Sequence, residues 1–120
     1  TMSVIDKNSR YIGGAILPGL RVSLDSMSSN TAQLPRISLD TPKKVIGKNT
    51  VDCMRSGVIF GNAAMIDGML SRIEEELGGP ATVIATGGIA KAVLPLCSHT
   101  IIYDGALLLK GLLALYEKNK

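Results

Sequence analysis

Between Asn49 and Gly79 the residues Val51, Met54, Val58, Ile66, Leu70, Ile73 and Leu77 recur at near-helical spacing, and this run limits the fold more than any other feature. An Asn or Thr side-chain oxygen at 49 or 50 can accept from the first free backbone donors, and Asp52 puts negative charge in the first turn. Gly78 and Gly79 stop the run. The spacing predicts one long helix whose apolar stripe must find a partner. Three glycines lie inside it, Gly57, Gly61 and Gly68. Each costs about 1 kcal/mol relative to Ala in an exposed helix, so the set points to close packing on a neighbouring strand or helix, with a subunit interface as one form.

The flanking segments supply strands. Met2 to Ile5 and Tyr11 to Leu17 read as a β-hairpin around the polar turn Asp6 to Arg10, with Gly13 and Gly14 marking a bulge or a close approach. Pro18 and Gly19 end it, and Leu20, Leu24 and Met27 form the stripe of a short helix. Thr31 to Lys48 is a connector carrying Pro35 and Pro42, with a possible extended piece at Arg36 to Leu39. Beyond the long helix, a strand at Thr82 to Ala85 turns through Thr86, Gly87 and Gly88 into a helix at Ile89 to Leu96. A strand at Thr100 to Tyr103 then leads to a last helix, about Gly105 to Glu117, capped by Asp104. Its leucines cover more than one face, which implies burial against the sheet and something else. The order is ββαα(βα)(βα), an α/β pattern in one domain.

Composition narrows the function classes. With 120 residues and 46% hydrophobic content the chain can build one core, and 3% aromatic content makes that core aliphatic. The same scarcity removes the stacking platforms that single-stranded nucleic acid needs. The net charge of +3 comes from scattered Lys and Arg, with only Lys43, Lys44 and Lys48 clustered, so no nucleic-acid partner is expected. Cys53 and Cys97 have no CxxC spacing and apolar neighbours, so both read as reduced core residues of a cytoplasmic protein. No apolar run approaches the roughly 18 residues that span a bilayer, so no membrane association is expected. A chain that opens at Thr1 and enters a strand at once looks cut from something longer.

Two runs could carry chemistry. Ala85 to Gly88 offers amides at a helix start that no side chain blocks, which suits an anion or a nucleotide edge; turn geometry explains the glycines equally well. VIGKNT, Val45 to Thr50, sets a Gly, a Lys, an amide and a hydroxyl before the long helix, where plain capping also accounts for Asn49 or Thr50. His99 lacks partners for a triad or a metal site and reads as a surface or strand-end residue. Glu74 to Glu76 read as a solvated face, and Thr1 as an N-terminal nucleophile only by its position.

Taken together, Thr1 to Leu20 (TMSVIDKNSRYIGGAILPGL), Leu34 to Ile37 (LPRI), Val45 to Thr50 (VIGKNT) and Ile84 to Gly88 (IATGG) resemble the type III pantothenate kinases. The likeness spans nearly the whole chain. It implies a ribonuclease-H-like lobe with a mixed β-sheet flanked by helices, the C-terminal half of a two-lobed enzyme of the acetate and sugar kinase, heat-shock ATPase and actin superfamily. The implied reaction phosphorylates pantothenate with ATP, the first step of coenzyme A biosynthesis, with Mg²⁺ and a monovalent cation, K⁺ or NH₄⁺. By the resemblance Thr50 contacts pantothenate, and Thr86, Gly87 and Gly88 lie beside the nucleotide. Thr1 ends a D-x-G-T-A-T-T phosphate segment. The resemblance gives Gly13 and Gly14 a structural role, and it makes the protein a homodimer. Its catalytic G-x-D-R Asp and metal-binding acid belong to an N-terminal half that precedes Thr1, so no catalytic or metal residue is expected in this chain, and the chain alone is expected to be inactive. The rival expectations are a regulatory or transcription accessory factor that has lost catalysis, and a self-cleaved threonine hydrolase.

Overall fold

The computed structural model describes residues 1–29 and 40–120; the LPRI run and the expected extended piece at Arg36 to Leu39 lie outside them. β1 (Met2–Ile5) and β2 (Tyr11–Ala15) form an antiparallel hairpin. Its turn is held by Asp6, whose carboxylate accepts the backbone N–H groups of Asn8 (2.8 Å) and Arg10 (2.9 Å). The register slips between Val4 and Ile5, which pair with Gly13 and Tyr11 and leave Ile12 bulged. A Cβ on Gly14 would sit 1.9 Å from the carbonyl oxygen of Met2, so the glycine pair serves both anticipated purposes, a bulge and a close backbone approach.

α1 (Leu20–Ser29) and α2 (Thr50–Leu77) pack together, and the core forms where they meet the segment after Gly88. Leu20 and Leu24 from α1, Val58, Ile59 and Ala63 from α2, and Val93 make its centre. Ile59 and Val93 are the most completely buried large side chains. Buried Asn62 satisfies its amide on the carbonyl of Val58 at 2.7 Å, one turn back.

β3 (Val83–Ala85) and β4 (Ile101–Tyr103) run parallel, Val83 opposite Ile101 and Ala85 opposite Tyr103, and the N–H of Asp104 extends the ladder to the Ala85 carbonyl at 2.8 Å. α3 (Leu107–Lys118) follows. The α/β class is therefore present, but among the described residues the strands make two two-stranded sheets where one mixed sheet was expected. β3 and β4 have three residues each, too few to carry a ladder further on their own.

Four expectations need correction. Two 3₁₀ turns, Ile89–Ala92 and Leu94–Leu96, replace the helix expected over Ile89 to Leu96. Pro95 has no N–H for an α-helical bond, which leaves short turns as the available geometry. Asp104 does not cap α3 as its N-cap residue; its carboxylate accepts the Ala106 N–H (3.0 Å) and the Lys110 ammonium (2.6 Å) just before the helix. Around Gly57, Gly61 and Gly68 an added Cβ would meet nothing among the described residues, so the expected packing on a neighbouring strand or helix is not found there, and the expectation stands only in its subunit-interface form. The α3 leucines are likewise exposed, Leu108 at 73% and Leu109 at 68%, so nothing in the described chain covers both faces of that helix.

Candidate functional site

The VIGKNT run is clasped onto the first turns of α2 by three devices. The hydroxyl of buried Ser56 donates to the carbonyl of Val45. Gly47 lies so close that a Cβ there would stand 2.5 Å from the backbone nitrogen of Cys53, so only glycine lets the loop reach the helix. Asn49, in an extended conformation, caps α2: its carbonyl oxygen Oδ1 accepts the Asp52 N–H at 2.9 Å, and its Nδ2 donates to the Asp52 carboxylate at 2.8 Å. The two-way choice between Asn49 and Thr50 is thereby decided, because a residue in the first helical position cannot also be the cap.

Thr50 is that first residue. It is exposed, and among the described residues its hydroxyl makes no hydrogen bond. It lines an open cavity of about 440 Å³ with Met27, Gly47, Lys48, Asn49, Cys53 and Met54. The site thus combines a free hydroxyl, the Lys48 cation and the positive end of a 28-residue helix above an apolar floor. Cys53 belongs to this cavity and is exposed, which corrects its expected place in the core. Cys97 is half-buried, against the core, and burial together with the nearby Asp67 carboxylate raises its thiol pKa.

The second candidate lies elsewhere. Thr86, Gly87 and Gly88 are exposed at the carboxyl end of β3 and do not line the cavity around Thr50; nor does Thr1, exposed ahead of β1. Gly87 has φ of +106°, a backbone that a side chain rarely tolerates. The 3₁₀ turn that follows it has four residues, so the helix-dipole argument for anion binding there loses its basis. The turn is instead braced by a residue the sequence did not single out: the Tyr103 hydroxyl donates to the Gly87 carbonyl at 3.0 Å, and the Lys91 ammonium stands 5.0 Å from the centre of the Tyr103 ring. Only the parallel pairing of β3 with β4 brings Tyr103 here, and no local spacing signals it. Gly13 and Gly14 border a smaller cavity of about 270 Å³ between the hairpin and the last turns of α2.

His99 and Glu74 also depart from expectation. The His99 ring joins Asp67 through Nδ1 at 2.8 Å and Glu74 through Nε2 at 3.3 Å. Glu74, read from sequence as solvated, also accepts the Ala81 N–H at 3.0 Å. Asp67 further accepts the backbone N–H groups of Ser98 (2.6 Å) and His99 (3.1 Å). Burial alone would raise the Asp67 pKa, but these donors and the imidazole outweigh it and bring it down to about 2. The hydrogen bond to Asp67 raises the His99 pKa; partial burial opposes it and Glu74 reinforces it. This cluster ties α2 to the approaches to β3 and β4, and every one of its groups is internally partnered.

Comparison with known proteins gives the constellation its context. The family profile for type III pantothenate kinase matches residues 1–72. The chain belongs to the type III pantothenate kinase family. Type III pantothenate kinases from Thermus thermophilus and Exiguobacterium sibiricum are each 45% identical to it, over 97% and 100% of this chain. The one from Deinococcus radiodurans is 43% identical over 97%. The chain spans about half the length of these relatives, 46%, 47% and 44% respectively. A solved structure from Campylobacter jejuni, assigned to the Baf family of transcriptional activators, is similar with a TM-score of 0.66 at 25% identity, over 98% of this chain and 52% of that one. The VIGKNT clasp lies within the segment matched by the family profile, whereas the Gly87 turn lies beyond it and is covered by the full-chain relatives.

Proposed function

We propose that this chain is the C-terminal, ribonuclease-H-like lobe of a kinase that transfers the γ-phosphoryl group of ATP to the primary hydroxyl of pantothenate. The observation that carries this reading is the likeness to type III pantothenate kinases over essentially the whole chain, joined to the geometry of Thr50. Asn49 does the capping, so among the described residues the Thr50 hydroxyl has no hydrogen-bond partner, and it stands at the rim of a cavity with an apolar floor. Pantothenate is amphipathic, an amide chain with hydroxyls at one end and a carboxylate at the other, and a hydroxyl beside Lys48 and a helix N-terminus matches its polar groups. In this scheme Thr50 orients pantothenate, while Thr86, Gly87 and Gly88 border the nucleotide and Thr1 closes the phosphate-binding segment. Positioning of this kind is a large part of phosphoryl-transfer catalysis.

Mg²⁺ would spread the charge on the transferring phosphoryl group, and a monovalent cation is part of the same scheme. Among the described residues no three His, Cys, Asp or Glu side chains gather as a metal-ligand set, so we derive no step of this lobe through a metal. The residues that accept the hydroxyl proton and hold the cations belong, in this reading, to the other half of the protein. We further propose a cytoplasmic homodimer. The exposed face of α2 that carries Gly57, Gly61, Ala64 and Gly68 supports the second copy, and the two free thiols support the compartment.

The deciding experiment incubates the full-length protein with ATP, Mg²⁺, K⁺ and pantothenate and follows ADP and phosphopantothenate. Turnover that requires pantothenate is the expected result. A second reading, a non-catalytic regulator, is favoured by the similarity to the Baf-family structure. ATP binding without turnover, under conditions where a type III relative is active, would replace the kinase reading with it.

A further inference from the structure

The carboxyl ends of β3 and β4 lie side by side, and in open α/β sheets the loops beyond such ends are where ligands bind. Two loops emerge here, Thr86 to Gly88 and Asp104 to Ala106. Their charges are not equivalent. Lys110 is engaged at 2.6 Å by the Asp104 carboxylate, whose pKa this contact lowers. Lys91 has no carboxylate partner among the described residues and rests instead on the face of Tyr103. An exposed ammonium held only by a ring is readily drawn to an anion, since an exposed cation–π contact is a weak competitor for a phosphate.

The Tyr103 hydroxyl acts on the other side of the turn. A trans peptide points its C=O and the next N–H in opposite directions. By holding the Gly87 carbonyl, Tyr103 therefore aims the Gly88 N–H away from itself. With Gly87 in the left-handed region and neither glycine carrying a side chain, the peptide would otherwise be free to rotate.

We infer that Tyr103 is a positioning residue for the nucleotide, locking the Gly87–Gly88 peptide through its hydroxyl and holding Lys91 on its ring, from which the ammonium moves to the ligand's phosphates. This rests on the reading of Thr86 to Gly88 as the nucleotide side of the site. Tyr103 touches no reacting atom and acts only through the turn and through Lys91.

The test uses the full-length protein and three variants, Tyr103→Phe, Lys91→Met and Lys91→Arg. Tyr103→Phe keeps the ring and removes only the hydroxyl. It is expected to raise the ATP KM and the ADP Kd about three- to tenfold, because the unlocked Gly87–Gly88 peptide spends less time in the binding conformation, with pantothenate KM and kcat near wild type and at most a small fall in Tm from the lost surface hydrogen bond. Lys91→Met is expected to weaken ADP and ATP but leave adenosine binding unchanged, and Lys91→Arg to restore the loss. Wild-type ATP KM and ADP Kd in Tyr103→Phe would overturn the proposal. So would parallel losses for ATP and pantothenate with a large fall in Tm, which would make Tyr103 a fold residue. Equal losses for adenosine and ADP in Lys91→Met would remove the phosphate role. Failure of the kinase reading shows separately, in the wild type: a protein that binds ADP without phosphorylating pantothenate still tests Tyr103 and Lys91 by the binding readouts alone.

Discussion

Thr50 and Asn49 are neighbours at the start of α2 with separable roles, and substitution should separate them. Asn49→Ala removes the cap and is expected to cost about 1 kcal/mol of stability, read from chemical denaturation of the full-length protein. Thr50→Ala removes an exposed hydroxyl with no hydrogen bond among the described residues, so it should change stability by less than about 0.5 kcal/mol. Its effect should fall on pantothenate, raising KM or lowering kcat by about three- to tenfold. Steady-state kinetics unchanged from wild type would remove Thr50 from the site. Gly47 is constrained in another way: Gly47→Ala drives a Cβ into the α2 backbone and should loosen the whole VIGKNT clasp, lowering Tm and raising pantothenate KM together.

At the scale of elements, the Asp67–His99–Glu74 cluster makes the attachment of α2 to β3 and β4 depend on pH. A raised His99 pKa means that the stability it contributes is full below the ordinary imidazole value of about 6.5 and is lost as pH rises through the raised value. Asp67, brought down to about 2, contributes fully above the ordinary carboxylate value and loses its contribution as pH falls towards that figure. The cluster is therefore strongest between about pH 4 and pH 6.5. Thermal unfolding against pH should show Tm declining on the alkaline side of that window, and His99→Gln should flatten this limb. The open face of α2 allows a second test. Gly61→Ala should stabilise the helix by up to about 1 kcal/mol if water covers that face. If a second copy covers it, as proposed, Gly61→Leu should shift the full-length protein from dimer to monomer in light scattering while helix content stays constant.

For the molecule as a whole, the radius of gyration is 17.0 Å, against about 14 Å for a compact chain of this length, with extents of 54 × 34 × 24 Å. The small core around Ile59 and Val93 coexists with exposed Ile84 and Ile102 on the parallel strands and with a leucine-rich α3 that has no buried residue. Several large apolar side chains exposed on one helix, Leu108, Leu109, Leu112, Leu113 and Leu115, mark a surface suited to contact with another protein surface. The isolated 120-residue chain is therefore expected to bind a hydrophobic dye and to self-associate, and Leu108→Glu with Leu112→Glu should reduce both. Unchanged association in that double variant would place the adhesive surface on the strands instead of α3.

The local chemistry of the chain was sufficient for the hairpin, the long helix with its glycine stop and a cap at Asn49 or Thr50, and the positions of the two later strands, because each rests on neighbours within a turn or two. VIGKNT and IATGG stood out as candidate runs for the same reason. What spacing could not reveal was set by contacts between distant segments: Ile59, Ala63 and Val93 as the core, the His99 cluster, and Tyr103 against Gly87. The strand and helix expectations also misjudged cover, since a leucine pattern records that a surface needs burial without saying whether this chain supplies the partner. Tertiary structure decided those points, because burial and pairing depend on where chain segments meet, and residues far apart in sequence carry no mark of one another.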